Sequence, residues 1–108
     1  MSLSTHVLDA TTGVPATGVS VTGDSRVDGD WRLIAEGSTD ADGRIRELGP
    51  LEIGTHRIIF DTGGYFARCG VPAFYPEVTV TFEIVDADAH HHVPLLLSPY
   101  AFSTYRGS

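Results

Sequence analysis

The sequence has a single cysteine, few basic residues and no long apolar run. One thiol, Cys69, cannot form an intramolecular disulfide, which excludes a small disulfide-stapled module and also the zinc motifs that need several cysteines. No apolar stretch approaches the roughly 18 residues of a membrane-spanning helix. Seven Lys and Arg against fourteen Asp and Glu give a net charge of −7, which disfavours binding to the phosphates of nucleic acids.

The N-terminal residues have neither the basic segment nor the apolar segment of a secretory signal peptide, so we expect a cytoplasmic protein. The length suits a single domain, which we predict over residues 1–108. A chain of this length buries only about two-thirds of the surface that its unfolded form exposes. One small core leaves no room for a deep cleft, and an active site would therefore lie in a surface groove or between subunits.

Hydrophobic and polar residues alternate along most of the chain, and turn residues interrupt the alternation at short intervals. This pattern is typical of an all-β sandwich or barrel, and we predict a two-sheet β-sandwich of about eight strands. The predicted strands cover residues 3–8, 17–22, 31–36, 44–48, 55–61, 78–84, 90–97 and 100–105. Between them we predict a polar loop at 23–29, a tight turn at 40–43 and one or two helical turns at 65–69.

The most unusual tripeptide is His90-His91-His92, in the seventh predicted strand. Strand alternation points His90 and His92 to one face of the sheet and His91 to the other. Two histidines at this spacing can transfer protons near neutral pH, or can bind zinc with a third ligand. A polar strand end exposed to solvent explains the tripeptide without any function.

Three further residues bear on function. His6 lies in the middle of the first predicted strand, where most histidines are structural. Arg44 follows the glycine of a turn, a position that often presents a side chain at the rim of a sandwich, although most such arginines are solvated. We expect Cys69 to be a small buried apolar residue. The polar C-terminal segment continues an apolar strand, which would order a tail otherwise prone to fray.

Three blocks of the sequence resemble the motifs of a known protein family. They are LSTHVLD at 3–9 with TGVPA at 12–16, TDADGR at 39–44, and HVPLLLSPY at 92–100 followed by STYRGS at 103–108. Together they resemble the 5-hydroxyisourate hydrolase family, transthyretin-related enzymes of urate breakdown, over essentially the whole chain. The terminal Tyr-Arg-Gly-Ser is the signature that separates these hydrolases from the hormone-carrying transthyretins, which share the fold.

The resemblance implies a transthyretin-like sandwich with one short helix, assembled as a homotetramer with active sites at the subunit interface. It implies hydrolysis of 5-hydroxyisourate to 2-oxo-4-hydroxy-4-carboxy-5-ureidoimidazoline, with no metal and no cofactor. The residues it assigns to the site are His6, Arg44, His92 and Ser108 for catalysis, and Tyr105 and Arg106 for substrate binding.

The residue types suit the tasks of such a hydrolysis. His6 and His92 suit proton transfer, and which of them is the base stays open; Arg44 suits stabilisation of an oxyanion. The terminal carboxylate of Ser108 could orient a histidine or a water molecule. This chain departs from the family pattern at His91, often Tyr, and at residues 101–102, often Gly-Tyr. The missing hydroxyl at position 102 could alter the affinity for substrate.

Two alternatives remain. His6, His90 and His92 could together form a three-histidine zinc site with an open position for water. A transthyretin-like carrier could instead bind a small aromatic ligand in the central channel of a tetramer, without turnover. A carrier, however, has no need of two histidines and an arginine beside an ordered C-terminus.

Overall fold

The computed structural model describes residues 3–108, which form nine β-strands and one α-helix. The elements in chain order are β1 (Leu3–Asp9), β2 (Val14–Pro15), β3 (Ser20–Val27), β4 (Asp30–Ser38), β5 (Arg44–Ile45), β6 (Gly54–Phe60), α1 (Thr62–Arg68), β7 (Val78–Ile84), β8 (His91–Leu97) and β9 (Phe102–Thr104).

The strands form two sheets. Sheet A has the order β2-β1-β8-β9, with β5 also paired to β1, and sheet B has the order β4-β3-β6-β7. Strands β1 and β8 run parallel, with Leu3 opposite His91 and Asp9 opposite Leu97, and the other strand pairs are antiparallel. The predicted transthyretin-like sandwich with one short helix is confirmed, although two of the strands have only two residues each.

Alternate side chains of the strands form the core between the sheets. On β6, Ile58 and Phe60 are fully buried whereas the intervening Ile59 is only partly buried, as the alternation predicts. Leu3 and Val7 of β1 face the same core, and Ser4 and His6 point to the opposite side of sheet A. Each fully buried aliphatic or aromatic side chain contributes about 1.5–3 kcal/mol to stability. Burial of Leu3 and Val7 in the core therefore places Ser4 and His6 on the outer face of sheet A.

The prediction of a polar loop over residues 23–29 is wrong. Strand β3 continues to Val27, which lies opposite Asp30 in a tight hairpin with β4. Asp28 and Gly29 form the turn with positive φ values of 53° and 82°, the combination that a type I′ turn requires. The Asp-Gly dipeptide is itself a strong hairpin signal, and the polar outer face of β3 obscured it. One such outer residue, Asp24, is paired with Arg57 of β6 at 2.7 Å.

Several boundaries also differ from the predictions. The predicted strand over 44–48 is limited to β5, and β2 was not predicted. The helical turns predicted over 65–69 begin earlier: Gly63 and Gly64 lie in α1, where the Asp61 side chain caps the helix by accepting a hydrogen bond from the N–H of Gly64. The prediction of a buried Cys69 is wrong: this residue caps the C-terminal end of α1 and is exposed.

Helix α1 is tied to the end of β1 by a buried hydrogen bond. The Tyr65 hydroxyl donates to Oδ2 of Asp9 at 2.8 Å, and Asp9 is only 4% exposed. This bond satisfies a carboxylate that would otherwise be costly to bury. Over residues 3–108, no helix has the length and apolar character needed to cross a bilayer.

Candidate active site

The outer face of sheet A brings together residues from three strands. In the parallel pair of β1 and β8, Ser4 lies opposite His92 and His6 lies opposite Pro94. In the antiparallel pair of β1 and β5, His6 lies opposite Arg44. Directly opposed residues share a face of the sheet, with Cβ atoms about 4.5–5.5 Å apart in antiparallel pairs. His6 and Arg44 are therefore neighbours on the side of sheet A that faces away from the core.

The turn before β5 delivers Arg44 to this face. The side chain of Asp40 accepts hydrogen bonds from the N–H groups of Asp42 at 2.9 Å and Arg44 at 3.0 Å. The bond from Arg44 is the main reason that the pKa of Asp40 lies below its ordinary value. Ionised Asp40 thus holds the turn in the shape that starts β5.

The C-terminal tail runs along β8 and ends at the same face. The Thr104 hydroxyl donates to the Pro94 carbonyl at 2.7 Å, and the N–H of Gly107 donates to the His92 carbonyl at 2.8 Å. The prediction of an ordered tail is confirmed. A side chain at position 107 has no room, because its Cβ would lie 2.5 Å from Cδ2 of His92. Only glycine lets the backbone approach the ring this closely, and Ser108 follows it.

A cleft of about 230 Å³ lies where these segments meet. Its polar lining includes Ser4, Arg44, Arg46, His90, His92 and Ser108. Three of the six predicted site residues are therefore together, from three distant parts of the chain. His6 lies beside Arg44 on the sheet but is not among the residues that line this cleft.

The remaining two predicted residues, Tyr105 and Arg106, line a second cavity of about 210 Å³. This cavity is mainly apolar, with Val80, Phe82 and His91 among its other lining residues, and it shares His92 with the cleft. Within one chain, the C-terminal tail thus separates two cavities. Ser108 faces the polar cavity, whereas Tyr105 and Arg106 face the apolar one.

Three of these lining residues, Ser4, Arg46 and His90, were not predicted as members of the catalytic set. The hydroxyl oxygen of Ser4 lies 2.7 Å from Nδ1 of His92 and 3.1 Å from Nε2 of His90. The two rings stack with centroids 6.4 Å apart, as expected for residues on one face of a strand. The signal for Ser4 was present in the sequence, since it precedes His6 by two positions and so shares its face of β1.

Burial and nearby charges favour the neutral form of His92. Its pKa is lowered, first by burial and then by the positive charges of Arg44, His90 and His6, while a backbone hydrogen bond at Ser4 acts in the opposite direction. A neutral imidazole has a free nitrogen that can accept a proton from water. The cleft thus provides a proton acceptor, two guanidinium groups and the C-terminal residue within one small volume.

Within residues 3–108, no group of three or more His, Cys, Asp or Glu side chains is placed to hold a metal ion. His90 and His92 instead share the Ser4 hydroxyl. The geometry of these side chains therefore lends no support to the three-histidine zinc site.

Comparisons with known proteins show which family this chain resembles. The HIUase/Transthyretin family model matches residues 3–107. A 5-hydroxyisourate hydrolase of Salmonella dublin is 48% identical, covering 98% of this chain and 80% of its own length. The solved 5-hydroxyisourate hydrolase of Klebsiella pneumoniae has a TM-score of 0.88 and 39% identity, with both chains fully covered. Sea bream transthyretin, solved in complex with thyroxine, has a TM-score of 0.94 and 33% identity over 99% of this chain and 95% of its own.

Proposed function

The chain belongs to the HIUase/Transthyretin family, and from that membership we propose that it is a 5-hydroxyisourate hydrolase of urate degradation. The observation that carries the proposal is the polar cleft, in which the chain brings Arg44, His92 and Ser108 together. Hydrolysis of a cyclic amide-like bond needs a base for the water, a cation for the developing oxyanion and a proton for the leaving nitrogen. The cleft and its neighbour His6 offer a residue for each of these tasks.

Each residue of the site has one task in the proposed reaction. Arg44 binds the carbonyl oxygen that becomes the oxyanion, because its guanidinium is a permanent cation with a planar set of donors. His92 and His6 handle the proton taken from water and the proton given to the leaving nitrogen. Ser108 orients the water or a histidine through its hydroxyl or its terminal carboxylate. The reaction opens the six-membered ring to give 2-oxo-4-hydroxy-4-carboxy-5-ureidoimidazoline, and these residues require neither metal nor cofactor.

We further propose a homotetramer, a dimer of dimers, in which a second subunit completes each site. The cleft of about 230 Å³ is smaller than the roughly 300 Å³ or more of typical ligand pockets. Strands β7 and β9 are among the described strands that are paired on one side only, so each sheet has an edge available to another subunit. Tyr100 and Tyr105, next to β9, are 67% and 59% exposed. In such an assembly, Tyr105 and Arg106 contribute to substrate binding at the interface.

Carriage of a small aromatic ligand is the alternative function, and the fold alone does not separate the two. The sea bream carrier and the Klebsiella hydrolase both superpose closely on this chain. The distinction lies in chemistry. Histidine and arginine side chains packed beside an ordered Tyr-Arg-Gly-Ser terminus serve proton transfer and charge stabilisation, which a carrier does not need.

The test is the ultraviolet decay of 5-hydroxyisourate generated from urate, compared with its spontaneous decay. We expect a clear acceleration by the wild-type protein and a loss of about 10²–10⁴-fold in His6→Asn and His92→Asn. A few residues added after Ser108 should lower the rate while the circular dichroism spectrum is unchanged. No acceleration by the folded wild-type protein would refute the hydrolase proposal, and wild-type rates in both histidine variants would refute their roles.

Two further experiments address assembly and location. Light scattering after size exclusion should give four times the 11.6 kDa mass of the chain, and a monomer with full activity would refute the shared site. A cytoplasmic location stays a prediction from the sequence, which fractionation of the native cells would test.

A further inference from the structure

Behind His92 lies a polar network built around one hydroxyl group. Oγ of Ser4 lies 2.7 Å from Nδ1 of His92 and 3.1 Å from Nε2 of His90. Ser4 is only 8% exposed, whereas the ring of His90 lies at the solvent-exposed side of this junction. The planes of the two rings differ by only 15°, and both rings present a nitrogen to the same oxygen. The network joins the first described residues of the chain to the strand that carries His92.

One hydroxyl proton links the protonation of the two rings. A serine hydroxyl can donate one hydrogen bond and can accept two. A ring nitrogen that accepts the proton of Ser4 must itself be unprotonated, while the other ring can donate its own N–H to the oxygen. If Nδ1 of His92 carries a proton, the hydroxyl is therefore free to donate to Nε2 of His90. If Nε2 of His90 carries a proton, the hydroxyl donates to His92 instead.

The charge in the cleft selects between these two arrangements. Arg44 lines the same cleft as His92, and its positive charge acts on that ring. A nearby positive charge favours a lone pair over an N–H group, and since Nδ1 of His92 faces Ser4, Nε2 is the ring nitrogen left to face that charge. The favoured arrangement therefore has the proton of His92 on Nδ1 and the lone pair on Nε2.

We propose that Ser4, backed by His90, is the positioning residue that holds His92 in its Nδ1–H tautomer. This inference rests on the proposed hydrolase function and adds to it that Nε2 of His92 is the atom that accepts the proton of the attacking water. As that proton arrives, the proton on Nδ1 stays in place and its bond to Ser4 becomes charge-assisted and stronger. The proton of Ser4 remains in its bond to His90. The network therefore stabilises the protonated ring, in addition to the backbone hydrogen bond at Ser4.

The tautomer can be measured in the free wild-type protein without any turnover. Long-range ¹H–¹⁵N spectra of the imidazole rings distinguish a ring protonated at Nδ1 from one protonated at Nε2. We expect the Nδ1–H form for both His90 and His92, and a mixture for His92 in Ser4→Ala. An Nε2–H form of His92 in the wild-type protein would overturn the proposal, even if the protein is an active hydrolase. Conversely, an inactive wild-type protein would refute the hydrolase function and leave the spectral result in place.

A matched pair of variants tests the contribution to catalysis. Ser4→Thr and Ser4→Val give side chains of nearly the same shape, in which Val carries a methyl group where Thr keeps the hydroxyl. We expect Ser4→Val to lower kcat about 10-fold relative to Ser4→Thr, with similar KM and an altered acidic limb of the pH–rate profile. Equal kcat values and pH profiles in the two variants would overturn the proposal. If neither variant folds, the wild-type spectra decide.

The part played by His90 requires a double-mutant cycle. If Ser4 acts through its bond to His90, the losses of kcat in Ser4→Val and His90→Phe should be less than additive in the double variant. Fully additive losses would show that His90 acts separately and would remove it from the network.

Discussion

Replacing Gly107 by alanine should slow catalysis without unfolding the protein. The added Cβ would lie 2.5 Å from Cδ2 and 3.2 Å from Cγ of His92. Carbon atoms in good contact are about 3.5–4.0 Å apart, so the ring or the tail that carries Ser108 must move by about 1 Å. A displacement of that size at a reacting group can cost about 10²-fold in rate. We therefore expect kcat to fall by about that factor.

Stability should respond much less than rate. Gly107 lies in a tail on the outer face of sheet A and is not part of the hydrophobic core. Its substitution should therefore change the free energy of unfolding by less than about 0.5 kcal/mol. Gly37→Ala is the matched control, since its Cβ would meet Cδ1 of Ile45 at an ordinary 3.7 Å.

The assay is the decay of 5-hydroxyisourate absorbance at saturating substrate, together with urea denaturation of each variant. A Gly107→Ala protein with wild-type kcat and KM would refute the close packing of the tail on His92. Equal losses of rate in Gly107→Ala and Gly37→Ala would also count against it, because only one of these sites lacks space for a methyl group.

Four further predictions concern charge and polar contacts. Because the pKa of His92 lies below the ordinary 6.5, the unfolded chain binds this proton more readily, so stability should fall as pH drops below about 6.5. That loss should be smaller in His92→Gln, as urea denaturation at several pH values would show. Arg44→Met should raise the pKa of His92 only part of the way to its ordinary value, since burial is the larger cause of the shift. A titration followed by NMR would measure this pKa. Asp40→Ala should lower kcat through Arg44, with less effect in Asp40→Asn, which keeps an acceptor; equal effects would contradict this role. Tyr65→Phe should destabilise the protein by about 1–3 kcal/mol by leaving buried Asp9 with one partner fewer, without changing the rate per folded molecule.

The fold class followed from the residues alone, because strands have a short period that local sequence displays directly. Val78–Ile84 illustrates this: its apolar residues occupy every second position, and the strand has those bounds. Turn chemistry was less transparent. Asp28-Gly29 is a hairpin signal, yet the polar residues of β3 suggested a loop. The outer face of a strand at a sheet surface is polar, and its residues resemble those of a loop. The exposure of Cys69 was also beyond the sequence, since it depends on where α1 packs.

The candidate site could likewise be predicted from the sequence only in part. Strand alternation placed His90 and His92 together, and family motifs singled out Arg44 and the tail. Whether these residues share a cavity depends on the parallel pairing of β1 with β8, which joins opposite ends of the chain, and on the path of the tail along β8. The tertiary structure alone showed that Ser4 joins the two rings, and that Tyr105 turns toward a separate apolar cavity. Local sequence specifies which face of a strand a residue occupies, whereas only the packed chain decides which residues of other segments it contacts.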